Sequence, residues 1–394
     1  MAGELCKAVQ PEESESHREA ASADVESASS FPAEFEAMVD EKGYLAEQVF
    51  NCDETALFWK KMPTRTYIHR NARQAAGFKP FKDRFTLVLC GNAAGHMIKP
   101  GLIYRACTAR SLKNKDKKSL PVFWQYNRKA WMTAVLFLEW FHQCFVPEVK
   151  SYLRLKGLPF RVLLIIDNAP GHPQSTCFAN ENVEVMFLPP NSTPLLQPLD
   201  QGIAKCVKAA YVRLTFARIR DAIEANPQMS VMESWKNFTI ADAIALIAEA
   251  VQTVKPETLN ACWRPLWRNV VNDFIGFPSI EEEVANIRSI AMAINAEGFF
   301  DIAETDLRKH LDHSQQVLSN EELEELTRSS TDSDGDELDG SEDTQPPTWT
   351  LKKFADIFQQ AQILKDKILE YDPSMERGLV VTRGIISAAP VPVR

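Results

Sequence analysis

Three aspartates stand where apolar sequence breaks off: Asp53 in NCDETALFWKK (51–61), Asp167 in LLIIDNAPGH (163–172) and Asp200 in LLQPLDQGI (195–203). A carboxylate that directly follows a buried strand is costly unless its charge is compensated. Three of them at strand or helix ends point to a divalent cation held by oxygen ligands. Glu54, next to Asp53, is a rival ligand. Neighbours on a strand face opposite ways, so both cannot easily bind one ion. Taken alone, Asp200 also fits an ordinary acid at a helix N-terminus, where the macrodipole favours a negative charge.

The elements that must position these acids are readable from apolar spacing. Residues 47–53 form a first candidate strand, and RFTLVLCGNAAG (84–95) with MIKPGLIYRA (97–106) reads as a hairpin. A short strand is expected around 121–126. Residues 130–157 have helical spacing, with Pro147 as a source of a kink. PFRVLLIIDN (159–168) is a continuous apolar run too short for a helix, the pattern of a strand buried on both faces, and EVMFLPP (184–190) is its expected parallel neighbour. Pro198 is placed to start a helix whose apolar face runs through Ile203, Val207, Ala210, Tyr211 and Leu214. Further helices are expected at 32–43, 238–254, 257–275, 279–294, 300–312 and 319–328. The reading is a mixed α/β sheet flanked by helices, with a mainly helical C-terminal extension.

The net charge of −9 conceals a strong asymmetry: residues 1–59 sum to −11, residues 60–220 to +18 and residues 221–394 to −16. A basic block of this size is a nucleic-acid signal, and it contains two of the three aspartates. Its clusters include Lys60, Lys61, Arg65, Arg70 and Arg84, then Lys113, Lys115, Lys117 and Lys118. Such side chains hold a phosphate backbone and carry no base readout. Trp131 and the other tryptophans of helical or loop context read as core. The eight cysteines form no CxxC pair and read as reduced thiols. No apolar run reaches the roughly 18 residues of a membrane span, and the first residues carry no apolar leader.

At the three acidic blocks the chain resembles the Tigger branch of the pogo-type transposases, within the Tc1/mariner group. D-E-T-x-L-F-W-K-K-M-P, D-N-A-P-G-H-P and L-Q-P-x-D-Q-G are the blocks that carry the likeness, which runs from about residue 31 to about residue 311. The resemblance implies an RNase H-like fold with the first and fourth strands side by side. It implies Asp53, Asp167 and Asp200 as ligands of two Mg²⁺ or Mn²⁺ ions and as catalytic residues for phosphodiester cleavage and strand transfer. It chooses Asp53 over Glu54, and gives Asn168 and His172 supporting roles. DNA is the implied partner, a homodimer is compatible with it, and the nucleus is the implied location. A catalytically silent DNA-binding or chromatin protein is the alternative. Proteins of this branch carry helix-turn-helix units ahead of the catalytic domain, and only about 30 residues precede the likeness here. The expected organisation is a linker without stable structure at 1–30, an endonuclease-like domain at 31–225, a helical extension at 226–328, an acidic unstructured segment at 329–347, an amphipathic helix at 348–372 and a tail at 373–394.

Overall fold

The computed structural model describes residues 25–62, 83–271, 280–296 and 299–313. These all lie within one compact unit, Met1–Leu338. The acidic segment, the amphipathic helix and the tail expected beyond residue 328 fall outside the described residues.

The fold is built on a six-stranded sheet: β1 (Val49–Leu57), β2 (Phe85–Asn92), β3 (Gly101–Tyr104), β4 (Phe123–Tyr126), β5 (Val162–Ile166) and β6 (Val183–Phe187). The order across the sheet is β4-β3-β2-β1-β5-β6. β1, β2 and β3 form an antiparallel meander, β4 adds in parallel to β3, and β5 and β6 continue in parallel on the other side of β1. This is the RNase H-like arrangement, with the first strand central. Five strands run the same way and only β2 opposes them, so five carboxyl ends share one edge of the sheet.

Period-two burial explains why β5 reads as an unbroken apolar run. Val162, Leu164 and Ile166 join one core with β1, β2 and the helices after β4. Leu163 and Ile165 join another core with Phe35, Val39 and Trp263. All five are fully buried, and each such side chain is worth roughly 1.5–3 kcal/mol. On β2, Phe85, Leu87 and Leu89 face a third and larger core built largely from C-terminal helices.

Helix α1 spans Val25–Lys42. It starts inside the segment read as linker because Ala28, Phe35 and Val39 are buried along one face. The expected helix at 130–157 is two helices, α2 (Ala134–Trp140) and α3 (Val146–Leu155), joined by a widened π turn at Phe141–Phe145. Pro147 sits in the first turn of α3, where its missing N–H costs least. After β6 come the short α4 (Thr193–Leu196), a 3₁₀ turn at Pro198–Gln201, and α5 (Ile203–Ala225). The long helix therefore begins five residues later than Pro198 suggested. Gly202 separates turn from helix at φ +135°, a conformation that a side chain would strain.

The C-terminal helices are α6 (Val231–Lys236), α7 (Ile240–Gln252), α8 (Pro256–Ala261), α9 (Ile280–Ile294) and α10 (Glu304–His313). The expected helix at 257–275 stops at Ala261 because Pro265 follows within one turn and restricts Arg264. α6 escaped the periodicity reading. It is only six residues long, but Ser230 and Glu233 close a reciprocal capping box at its start.

Candidate active site at the carboxyl end of the sheet

Asp53 sits in the second half of β1, on the face shared with Asn51. The β1/β5 ladder pairs Val49 with Leu163 and Asn51 with Ile165. The same offset of 114 positions sets Asp53 level with Asp167, just past the end of β5. Asp200 arrives from the 3₁₀ turn before α5. Asp53 shares a side-chain hydrogen bond with Asp200, and its carboxyl is held well above the usual carboxylate range by burial, then by the charges of Asp200, Glu54 and Asp167. Carboxyl groups that face one another resist ionising together, a repulsion that a cation between them relieves.

A buried amide network fixes the Asp200 turn. The Asn51 side chain donates to the Ile165 carbonyl at 3.0 Å and to Oε1 of Gln197 at 2.7 Å. Gln197 donates to the Cys52 carbonyl at 3.2 Å, and the Leu199 N–H donates to Oδ1 of Asn51 at 3.1 Å. Asn51 and Gln197 are essentially inaccessible to solvent. Neither was singled out from sequence. The usable signal was position: Asn51 precedes Asp53 by two on the same strand face, and Gln197 opens the block that ends in Asp200.

The opposite face of β1 carries Glu54, and there the arrangement departs from a simple three-acid cluster. His172 is buried, with Nδ1 2.7 Å from Oδ1 of Asp167 and 3.1 Å from the Asp167 carbonyl oxygen, and Nε2 3.1 Å from Oε1 of Glu54. Its side chain is 0% exposed. Burial works against the charged imidazole, but the hydrogen bonds it donates to the two carboxylates, and their negative charge, outweigh this and raise its pKa to about 10. His172 thus bridges β1 and the end of β5 as an imidazolium. Glu54 serves this bridge, a role the sequence reading did not give it. Asn168 is exposed on the same turn. The acids offer the hard oxygen donors that a divalent cation takes, and the mutual repulsion around Asp53 is of the kind a cation relieves. However, among the described residues no three His, Cys, Asp or Glu side chains are gathered as a ready-made metal group. Asp53 and Asp200 form the close pair, while Asp167 is level with them but bonded to His172.

The basic residues divide. Lys115 and Lys118 are exposed on the loop after β3, with Lys113 on the same stretch. Lys117 donates to Sγ of Cys107 at 3.3 Å and to Oγ1 of Thr108 at 3.1 Å. Lys60 and Lys61, after β1, lie over the rings of Trp59 and Phe58. These loops leave the same sheet edge that carries the acids. Arg84 corrects the expectation of an exposed contact: it is 7% exposed, stacked on Trp131. Arg65 and Arg70 lie outside the described residues.

Residues 82–263 match the family model described as DDE superfamily endonuclease. The chain carries a DDE superfamily endonuclease domain of the pogo/Tc1-mariner type. The match includes Asp167 and Asp200 and begins after the strand that holds Asp53. The chain is 34% identical over 266 residues to the human Jerky protein homolog, covering 67% of this chain and 44% of that protein. It is 34% identical over 242 residues to human Tigger transposable element-derived protein 7, covering 58% and 44%. It thus spans less than half the length of these relatives. Among solved structures it is similar to the Mos1 transposase paired-end complex with left transposon end, at 16% identity over 66% of each chain and a TM-score of 0.29.

Proposed function

We propose that this DDE endonuclease-like domain binds DNA through the basic loops at the carboxyl edge of the sheet and cleaves phosphodiester bonds with Mg²⁺ or Mn²⁺ held by Asp53, Asp200 and Asp167. The observation that carries the proposal is the Asp53–Asp200 pair, two hydrogen-bonded side chains whose mutual repulsion, with burial, raises the Asp53 carboxyl and which a cation would relieve. Two divalent ions, when bound, supply a nucleophilic hydroxide near neutral pH and charge relief on the leaving oxygen. With metal bound, Asp53 and Asp200 would serve as ionised oxygen ligands. Gln197 and Asn51 keep the Asp200 turn against β1. His172 orients the Asp167 carboxylate from behind, as partners of metal ligands commonly do. Exposed lysines on the loop after β3 hold the phosphate backbone without reading bases. By analogy with relatives named as transposable element-derived, the protein acts on nuclear DNA.

A second reading rests on the engagement of Asp167 by His172. If the imidazolium goes on neutralising Asp167 and Glu54 when DNA is bound, the site holds too little negative charge for two cations and the domain is a silent DNA-binding module. Nicking of supercoiled plasmid by the full chain in Mg²⁺ or Mn²⁺ separates the two. The enzyme reading expects nicking that Asp53→Asn and Asp200→Asn each abolish. Retarded but intact plasmid, in both wild type and variants, would establish the silent reading instead.

A further inference from the structure

Two buried donors close to this edge of the sheet have no acceptor among the described residues: Nη2 of Arg84 and Nε1 of Trp131. They are neighbours, since the central carbon of the guanidinium lies 5.0 Å from the centroid of the indole. Burial alone pulls the Arg84 pKa down, to about 10, with no carboxylate opposing it. It is therefore a cation at neutral pH, stacked on an indole and without a carboxylate partner among the described residues. The adjacent acid, Asp83, is committed elsewhere. It accepts from Nε1 of Trp59 at 3.1 Å, the Tyr104 hydroxyl at 2.8 Å and Nε of Arg105 at 3.1 Å. Charged side chains are almost never fully buried unless paired, and a buried orphaned donor is destabilising.

The loop that carries Trp131 is built firmly. The Asn127 N–H donates to the Tyr104 carbonyl at 3.0 Å, and the Ala130 N–H donates to the Asn127 carbonyl at 2.9 Å. The Trp131 N–H donates to Oδ1 of Asn127 at 3.1 Å, while the Asn127 amide returns a bond to the Trp131 carbonyl. The Thr86 hydroxyl donates to the Ala130 carbonyl at 2.6 Å. Ala130 is held at φ +50°, a left-handed conformation unfavourable for a side chain. Met132, which follows Trp131, packs against Gly171 so closely that a Cβ on Gly171 would lie 3.2 Å from its side chain. The Trp131 loop therefore abuts the Asp167–His172 turn. Arg128 and Lys129 are exposed on it.

A buried guanidinium and two idle donors beside one firm loop are explained together by a missing acceptor. We propose that Arg84 and Trp131 form a binding site for a single phosphate-type oxyanion, the guanidinium supplying charge and a donor and the indole N–H a second donor. Its chemistry suits a backbone phosphate of bound nucleic acid or a free phosphate ion. Only the first source rests on the proposed DNA-binding reading. In either case the site would set one phosphate at a fixed place beside the catalytic turn, unlike the diffuse contacts of exposed lysines.

The test uses the full chain, wild type, Arg84→Met and Trp131→Phe. Thermal melting is followed with increasing inorganic phosphate, at ionic strength held constant with chloride. The site predicts that phosphate raises the melting temperature of wild type, since a ligand of the native state stabilises it. Both variants should lose most of that rise. In phosphate-free buffer Arg84→Met should be no less stable than wild type, because it removes a buried charge without a carboxylate partner among the described residues. Equal phosphate-induced rises in all three proteins, or a large loss of stability in phosphate-free Arg84→Met, would overturn the proposal. Duplex binding over a salt series identifies the source. A slope of log K against log salt reduced by about one in Arg84→Met assigns the site to a DNA phosphate. An unchanged slope with an Arg84-dependent phosphate response assigns it to free phosphate. Failure of wild type to bind duplex, with that response intact, removes the DNA-binding reading and leaves the site standing.

Discussion

The acidic layer between β1 and β5 and the basic loop after β3 sit at the same edge of one sheet, yet they are held in opposite ways. Asn51, Gln197 and His172 are buried and make several hydrogen bonds each across elements distant in sequence. Lys115 and Lys118 are exposed. The contrast teaches that like charges at a catalytic point need a rigid buried frame, because their repulsion must be opposed. Charges meant for a phosphate backbone need only proximity and freedom to move.

The largest expected effect concerns the His172 bridge. Its folded pKa of about 10 lies above the unfolded value near 6.5, so the bridge stabilises fully below pH 6.5 and its contribution is lost as pH rises through 10. At 1.36 kcal/mol per pKa unit the loss is on the order of 3–5 kcal/mol. The stability difference between wild type and His172→Gln, from denaturant melts, should shrink by that order between pH 6.5 and 10. A difference flat with pH would mean the imidazole is not an ion there, and the acidic layer would lose its frame.

Asn51→Ala comes next. It leaves the Gln197 amide oxygen, the Ile165 carbonyl and the Leu199 N–H without their partner, and should cost about 2–4 kcal/mol. A loss below about 0.5 kcal/mol would make the buried frame no firmer than the exposed loop.

Asp53→Asn should have the opposite sign. The Asp53 carboxyl is raised in the folded state, so wild type loses stability as pH climbs from about 4 through that raised value. In metal-free buffer at pH 7.5 the variant should be more stable by about 1–2 kcal/mol, and near pH 4 the difference should vanish. Mg²⁺ or Mn²⁺ should raise the melting temperature of wild type and not of the variant. Equal metal responses would show that the pair does not hold the ion.

The smallest effect on folding belongs to the lysines. Replacing Lys115 and Lys118, two of the lysines on this loop, together with Ala should change stability by less than about 0.5 kcal/mol. It should still lower the salt slope of duplex binding by up to about two. A large loss of stability would give these residues a structural role and erase the comparison.

Legibility followed the same division. The strand pattern and the offset linking Asp53 with Asp167 were readable, because apolar runs and matched blocks are local signals. Alternation on β1 put Asp53 and Glu54 on opposite faces, but it could not say that Glu54 meets a histidine. Arg84 read as one more basic residue in a basic stretch, and Trp131 as one more core tryptophan. Exposure depends on what packs above a residue, and for these two that is a loop more than 40 positions away. The helix expected at 257–275 failed on a readable local cause, Pro265, which periodicity outweighed.

By itself the sequence determined the sheet, the three acidic blocks and the concentration of positive charge around two of them. Side-chain type and period two suffice for these. Only the tertiary structure decided that Asp53 pairs with Asp200, that His172 takes Asp167 and Glu54, that Asn51 locks the turn through Gln197, and that Arg84 stacks on Trp131. Each of these depends on a distance between residues remote in the chain, and burial sets the local dielectric that turns such a distance into a raised carboxyl pKa or an imidazolium.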